Sequence, residues 1–142
     1  MKPRHFLTGL AAAAAAFGMA SAVSAQDMSE AAAERLAQFE RTGETRSCIS
    51  LSQLRSIQPL DDHHFLVEMR NRDMYLNVVR GRCSGAARTS TYLQYSTSGT
   101  QFCRGEVIRI VDSGPASMLV GSCGLGEFER LSPADGDTSA SR

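Results

Sequence analysis

The chain has 142 residues, enough for one domain rather than two once a predicted export signal at residues 1–25 is set aside. Its 15 Lys and Arg residues balance 15 Asp and Glu residues. Because Lys2 and Arg4 lie in that signal, 13 basic side chains then face 15 acidic ones, a formal charge of −2. This balance argues against a general nucleic-acid binder, which needs an excess of cations, and against a polybasic membrane-surface protein.

The N-terminal segment has the three parts of a secretory signal in the right order. Lys2 and Arg4 give a basic start, an alanine-rich apolar stretch runs to Phe17, and the small residues Val23-Ser24-Ala25 precede a predicted cleavage after Ala25. The stretch is too short and too interrupted for a membrane span, and no second one follows. We therefore expect a soluble exported protein of the periplasm or the medium.

Residues 26–46 predict a helix followed by a linker. Asp27 and Glu30 fit a capping box, the helical pattern continues to about Arg41, and Gly43 can end it. The residues that share its apolar face are Ala32, Leu36 and Phe39. The stripe is narrow, so this helix is an appendage that either docks on the following domain or remains a partly disordered arm.

Between residues 47 and 131 the hydrophobic period changes to two, which predicts an all-β domain. The predicted strands are 53–58, 63–69, 74–79, 91–96, 106–111, 116–120 and 126–131. Turns at 70–73 and 112–115 each join two of them into an antiparallel hairpin. In the strand at 63–69, Phe65, Val67 and Met69 should face one side and His64 and Leu66 the other. We expect a small antiparallel barrel or sandwich of six or seven strands, with residues 132–142 as a disordered tail.

Four cysteines, Cys48, Cys83, Cys103 and Cys123, all lie in this β region. An even number in an exported chain predicts two disulfides, and the wide spacing argues against a zinc site or a redox motif. Three pairings are open. We favour Cys83 with Cys103, which would tie down the polar stretch between them, and Cys48 with Cys123, which would join the first strand to the last.

The cysteines and their neighbours carry a resemblance to a known family. The matching strings are Cys48, Tyr75-Leu76-Asn77, Cys83, Phe102-Cys103-Arg104-Gly105-Glu106 and Cys123-Gly124-Leu125-Gly126-Glu127-Phe128. In this order the region from Cys48 to Leu131 resembles a family of small exported proteobacterial proteins known as a domain of unknown function. The resemblance implies a four-cysteine framework and an exported location, and it implies no catalytic residue.

Asp61-Asp62-His63-His64 is the nearest approach to a metal or acid–base cluster, because residues two apart on a strand share a face. A turn before an exposed strand start explains the four residues equally well, and a catalytic metal needs a third ligand. Paired carboxylates of the glycosidase kind remain open for Glu68, Glu106, Glu127 and Glu129. We predict no catalytic residue, no metal and no cofactor.

Five arginines form the one local charge imbalance, and they are Arg70, Arg72, Arg80, Arg82 and Arg88. The predicted hairpin separates Arg70 and Arg72 at its tip from Arg80 and Arg82 at its far end. The candidate contacts to a ligand or an anion are Arg70, Arg72, Tyr75 and Asn77. Ordinary solvation explains the arginines as well, and a buried turn would explain Asn77 better than a ligand would.

These features predict a non-enzymatic exported binding or envelope-maintenance module, monomeric, whose partner is an unidentified envelope protein or ligand. One alternative is a periplasmic inhibitor of a lysozyme-like hydrolase, which a protruding rigid loop such as 112–115 would favour. Another is a small hydrolase using carboxylates or the 61–64 cluster, which a deep pocket lined by convergent acids would favour.

Overall fold

The computed structural model describes residues 28–134, so the predicted signal at 1–25, the residue Asp27 and the chain after 134 lie outside it. The described part contains one α-helix, α1 (Glu30–Leu36), a 3₁₀ turn at Leu51–Gln53, and ten strands. The strands are β1 (Phe39–Arg46), β2 (Cys48–Ser50), β3 (Leu54–Pro59), β4 (His64–Met69), β5 (Met74–Val78), β6 (Thr91–Tyr95), β7 (Gln101–Cys103), β8 (Val107–Asp112), β9 (Leu119–Gly124) and β10 (Phe128–Pro133).

The strands form three antiparallel sheets. Five strands make the largest, in the order β1-β10-β5-β4-β3; β2 pairs with β7, and the third sheet has the order β6-β8-β9. The mainly β prediction and both predicted hairpins, β4–β5 and β8–β9, are confirmed. The described strands do not close into a single barrel, because they are divided among three sheets, and the finer choice of a barrel or a sandwich stays a prediction.

The main hydrophobic core draws side chains from all three sheets. Phe65 and Val67 of β4 meet Phe102 of β7, Ile108 of β8 and Phe128 of β10 in one buried cluster. Leu66 of β4 lies in a second cluster with Leu76 and Leu131, so the predicted two faces of β4 are confirmed. Both faces are covered, which explains why β4 is buried along almost its whole length.

Helix α1 docks on the second cluster. Leu36 and Phe39 pack against Leu66, Leu76 and Leu131, and Ala32 is buried. The observed N-cap is Ser29, whose hydroxyl accepts a hydrogen bond from the Ala32 amide at 3.1 Å. The helix therefore belongs to the folded domain rather than to a separate arm.

The predicted end of the helix near Arg41 and the linker at 43–46 are wrong. The helix ends at Leu36, and β1 follows and pairs with β10. Seven of the eight residues of β1 are exposed, so its sequence lacks the apolar alternation that signals a strand. Gly43 lies in an irregular stretch of this pairing with φ +75°, which suits glycine.

The predicted disordered tail begins too early. Ser132 and Pro133 belong to β10, opposite Glu40 and Phe39, and the Ala134 amide donates to the Gln38 carbonyl at 3.0 Å. Few apolar side chains are needed here because the contacts are made by the backbone. Residues 135–142 lie outside the described part of the chain.

The favoured cysteine pairing is also wrong. The disulfides are Cys48–Cys103 and Cys83–Cys123, and together they use all four cysteines. Cys48 and Cys103 lie directly opposite each other on β2 and β7, two strands of three residues that are too short to recognise in the sequence. The polar stretch after Cys83 is ordered instead by the pairing of β6 with β8.

Candidate functional site

The predicted 61–64 cluster forms the turn between β3 and β4, where its polar groups bond to nearby backbone. One Asp61 carboxylate oxygen accepts the amides of His63 and His64, both at 2.8 Å, and the other accepts the Ser29 amide at 3.0 Å. Nδ1 of the buried His64 lies 2.9 Å from the same carboxylate. Burial alone would raise the pKa of Asp61, but these hydrogen bonds outweigh it and lower the pKa to about 2.

The other two members of the cluster fix the loop after β5. Asp62 accepts the Gly85 amide at 3.0 Å and pairs with Nε of Arg82 at 2.9 Å, while Nδ1 of His63 lies 2.9 Å from the Gly81 carbonyl oxygen. Within residues 28–134 no group of three or more His, Cys, Asp or Glu side chains is placed to hold a metal ion. The geometry therefore supports the turn interpretation of this cluster.

The four glutamates considered for paired-carboxylate chemistry each have a separate partner. Glu106 accepts the Cys103 amide at 3.0 Å, and the other three pair with arginines. Those pairs are Glu68 with Arg55, Glu127 with Arg104, and Glu129 with Arg41. Such exposed or half-exposed ion pairs are ordinary surface features.

Asn77 fills the structural role that the sequence suggested. Its side chain is fully buried, donates to the Gly126 carbonyl at 2.9 Å and accepts the Gly126 amide at 2.9 Å. A Cβ at Gly126 would lie 2.0 Å from the Val78 carbonyl oxygen, so the strand approach requires glycine. Asn77 therefore joins β5 to the segment before β10.

The remaining predicted ligand contacts are not brought together. Tyr75 is buried, with the Arg46 guanidinium 5.2 Å from its ring centroid. Arg70 and Arg72 are exposed in the turn between β4 and β5. The hairpin thus separates two exposed cations from a buried tyrosine and a buried asparagine.

A feature the sequence analysis missed is the position of the exposed apolar side chains. The described chain has seven large hydrophobic residues that are exposed. Six of them lie on β6, on β8, or at the end of the β8–β9 hairpin. These six, here called the apolar surface, are Tyr92, Tyr95, Val107, Met118, Leu119 and Val120. Exposed apolar side chains that are concentrated on one sheet mark an interaction surface more often than singly scattered ones do.

Strand register shows that part of this surface is continuous. Tyr92 lies opposite Val111, and Val111 lies opposite Leu119, so the three side chains share one face across the sheet. Met118 and Leu119 are 66% and 62% exposed. The same face also carries Gln94, Arg109 and Ser122, which lie opposite one another, whereas Tyr95 lies opposite the core residue Ile108 and is directed to the other face. The pattern of each strand is an ordinary alternation, so the sequence alone does not reveal that Tyr92 and Leu119 come together.

A groove of about 510 Å³ runs between β3 and β6, the outermost strands of two different sheets. Its apolar lining includes half-buried Leu51, Leu54, Ile57 and Leu93, with Tyr95 at one side. The Tyr95 ring lies 4.8 Å from that of the core residue Phe102. We call this feature the β3–β6 groove; it borders the apolar surface through Tyr92 and Tyr95.

Comparison with known proteins matches the model of a family of unknown function, DUF6491, to residues 3–124. The chain belongs to this family. The match extends further towards the N-terminus than the resemblance drawn from the cysteine region, and it ends at β9. No curated protein and no solved structure matches the chain significantly. DUF6491 membership therefore brings no activity or partner with it.

Proposed function

We propose that this DUF6491 protein is a non-enzymatic binding protein whose partner contacts the three-stranded sheet. The observation that carries the proposal is the apolar surface, six exposed hydrophobic residues on β6, on β8 and at the end of the β8–β9 hairpin. Partner contact would remove these side chains from water, and burial of apolar area is the main favourable term in association.

The arrangement of titratable groups supports binding over hydrolysis. Asp61 and His64 bond to each other, Asp62 pairs with Arg82, and each of the four candidate glutamates has its own hydrogen-bond donor. General acid–base catalysis needs such groups to converge on a reacting atom. The three-stranded sheet, where the apolar surface lies, contributes none of these acids.

The compartment we propose is the periplasm or the exterior. Two disulfides consume all four cysteines, and such bonds persist in oxidising compartments. The signal-like order of residues 1–25 agrees with that location. The described helix is not long and apolar enough to cross a membrane. An envelope-maintenance role follows if the partner is an envelope component.

A second candidate, inhibition of a lysozyme-like hydrolase, is favoured by the loop between β8 and β9. The Gly114 amide bonds to the Asp112 carboxylate at 2.7 Å, the Ser113 amide to the Ser90 carbonyl at 2.8 Å, and Met118 follows exposed. A loop fixed before binding loses little entropy on insertion into a cleft. This candidate shares the apolar surface and differs in the partner.

Differential capture from an envelope extract tests the binding function. The bait carrying Met118→Asp and Leu119→Asp should lose partners that the unaltered protein retains, because charge is placed on the apolar surface. Met28→Asp is the matched control, since Met28 is also exposed but lies at the start of the described chain, next to α1. Capture of the same proteins in equal amounts by the unaltered protein, the double variant and the control would contradict the proposal. A captured partner that is a hydrolase and loses its activity on binding would favour the inhibitor role.

A further inference from the structure

The β6 strand has a free backbone edge. The Ser113 amide donates to the Ser90 carbonyl, which fixes the alternation of ladder hydrogen bonds between β6 and β8. Tyr92 and Gln94 therefore bond to β8, whereas the amides and carbonyls of Leu93 and Tyr95 point the other way. Among residues 28–134 these two residues make no backbone hydrogen bond on that side.

The facing strand, β3, is protected against pairing, and β6 is not. Pro59 lies on the outer edge of β3 and has no amide to donate, and the β3–β4 register shifts between Leu54 and Ser56. Proline and irregular register are devices by which natural sheets prevent edge-to-edge association. The β6 edge has neither, and its sequence Thr-Tyr-Leu-Gln-Tyr favours a strand.

The groove beside this edge suits the alternating side chains of a strand. Residues of an added strand that point inward would meet Leu54, Ile57 and Leu93. The one cation that lines the groove, Arg55, already pairs with Glu68 at 3.1 Å. The β3–β6 groove therefore selects apolar side chains at every second position of the added strand and does not require a charge on it.

We propose that the β6 edge binds an extended segment of a partner polypeptide, which adds a strand to the three-stranded sheet and places alternate apolar side chains in the β3–β6 groove. This inference rests on the proposed binding function and names the class of partner. Main-chain hydrogen bonds to Leu93 and Tyr95 provide affinity, and the groove provides selectivity.

Linear peptides test the inference without knowledge of the natural partner. A phage-displayed library of random linear dodecapeptides is selected on the disulfide-bonded protein, and a selected peptide is synthesised with single backbone N-methyl groups. Methylation at the two alternate residues that pair with Leu93 and Tyr95 should weaken binding about tenfold or more, as expected for an unmade hydrogen bond. Methylation at the intervening residues, the matched control, should leave affinity nearly unchanged.

Amide exchange locates the edge that is used. In the free protein the amides of Leu93 and Tyr95 should exchange rapidly, and the peptide should slow both while the Ile57 amide on β3 stays fast. Protection of Ile57 alone, equal effects of all N-methyl positions, failure to select any peptide, or dimerisation through β6 would each overturn the inference. If the peptide tests fail but capture of a partner still depends on Met118 and Leu119, strand addition at β6 is wrong and the proposed binding function is still supported.

Discussion

Asn77 shows how a single polar residue can hold two elements together inside an apolar core. Both of its amide atoms are matched to the backbone of Gly126, so its burial leaves no unsatisfied group on its own side chain. The same reciprocal chemistry occurs at the exposed Asn71, which bonds to the amide and the carboxylate of Asp73. The two asparagines differ in burial, which gives a direct comparison.

Replacing Asn77 by Ala should lower the free energy of unfolding by about 3 kcal/mol, because the Gly126 amide and carbonyl lose their partners in a dry site. Asn71→Ala should cost well under about 1 kcal/mol, because water replaces the lost contacts. Urea denaturation of both variants measures the difference. Equal losses would contradict the structural role given to Asn77.

Asp61 should make stability depend on acid pH. Its pKa is about 2 in the folded protein, against about 3.9 in an unfolded chain. On acidification the unfolded chain takes up the proton first, so the contribution of Asp61 is complete above about pH 5 and is largely lost by about pH 2, a change of about 2 kcal/mol. The stability difference between the unaltered protein and Asp61→Asn should therefore shrink between pH 5 and pH 2. A difference constant over that range would disprove this linkage.

At the scale of elements, β1 and the end of β10 stabilise each other at the border of the largest sheet. Thr42 donates from its hydroxyl to the Arg130 carbonyl at 2.8 Å, and the Gly43 amide donates to Glu129 at 3.2 Å. These hydrogen bonds are made by polar side chains and by the backbone, not by apolar side chains. For that reason the sequence predicts a linker and a disordered tail here instead of two paired strands.

A chain ended after Leu131 should be less stable than one ended after Ala134 by about 1–2 kcal/mol, since the pairing of Ser132 and Pro133 with β1 is lost. Thermal unfolding of the two truncated proteins gives the comparison. Identical melting temperatures would show that this part of β10 contributes nothing.

Elements with a regular apolar alternation could be predicted from the sequence, and the others could not. β4 and β8 have that alternation, and the short turns after them fix their partners. β2 and β7 have three residues each, and β1 is polar on both faces, so their pairing is decided by distant strands. The β3–β6 groove was missed for the same reason, because it lies between strands of different sheets.

At the scale of the whole molecule, one disulfide lies within the two-stranded sheet and joins β2 to β7, and the other joins the loop after β5 to β9 of the three-stranded sheet. Cys48–Cys103 closes a separation of 55 residues and Cys83–Cys123 one of 40. Loop closure at these lengths corresponds to about 4 kcal/mol for each bond in the chain-entropy model.

Peptide mapping without reductant should yield cross-linked fragments joining Cys48 to Cys103 and Cys83 to Cys123. Replacing either pair by Ala should lower the free energy of unfolding by about 2–5 kcal/mol while the other bond stays intact. A fragment that joins Cys83 to Cys103 would reject the observed pairing and restore the one favoured from the sequence.

The position of β10 between β1 and β5 bears on how the protein acquires its fold. The contact of Arg41 with Glu129 spans 88 residues, and the inner sheet order cannot be completed until the last strand is present. Native contacts this distant in sequence slow folding, because a long loop must close first. A chain emerging N-terminus first, from a ribosome or a translocation channel, therefore keeps β1 without its neighbour until β10 has emerged, and the largest sheet is completed late.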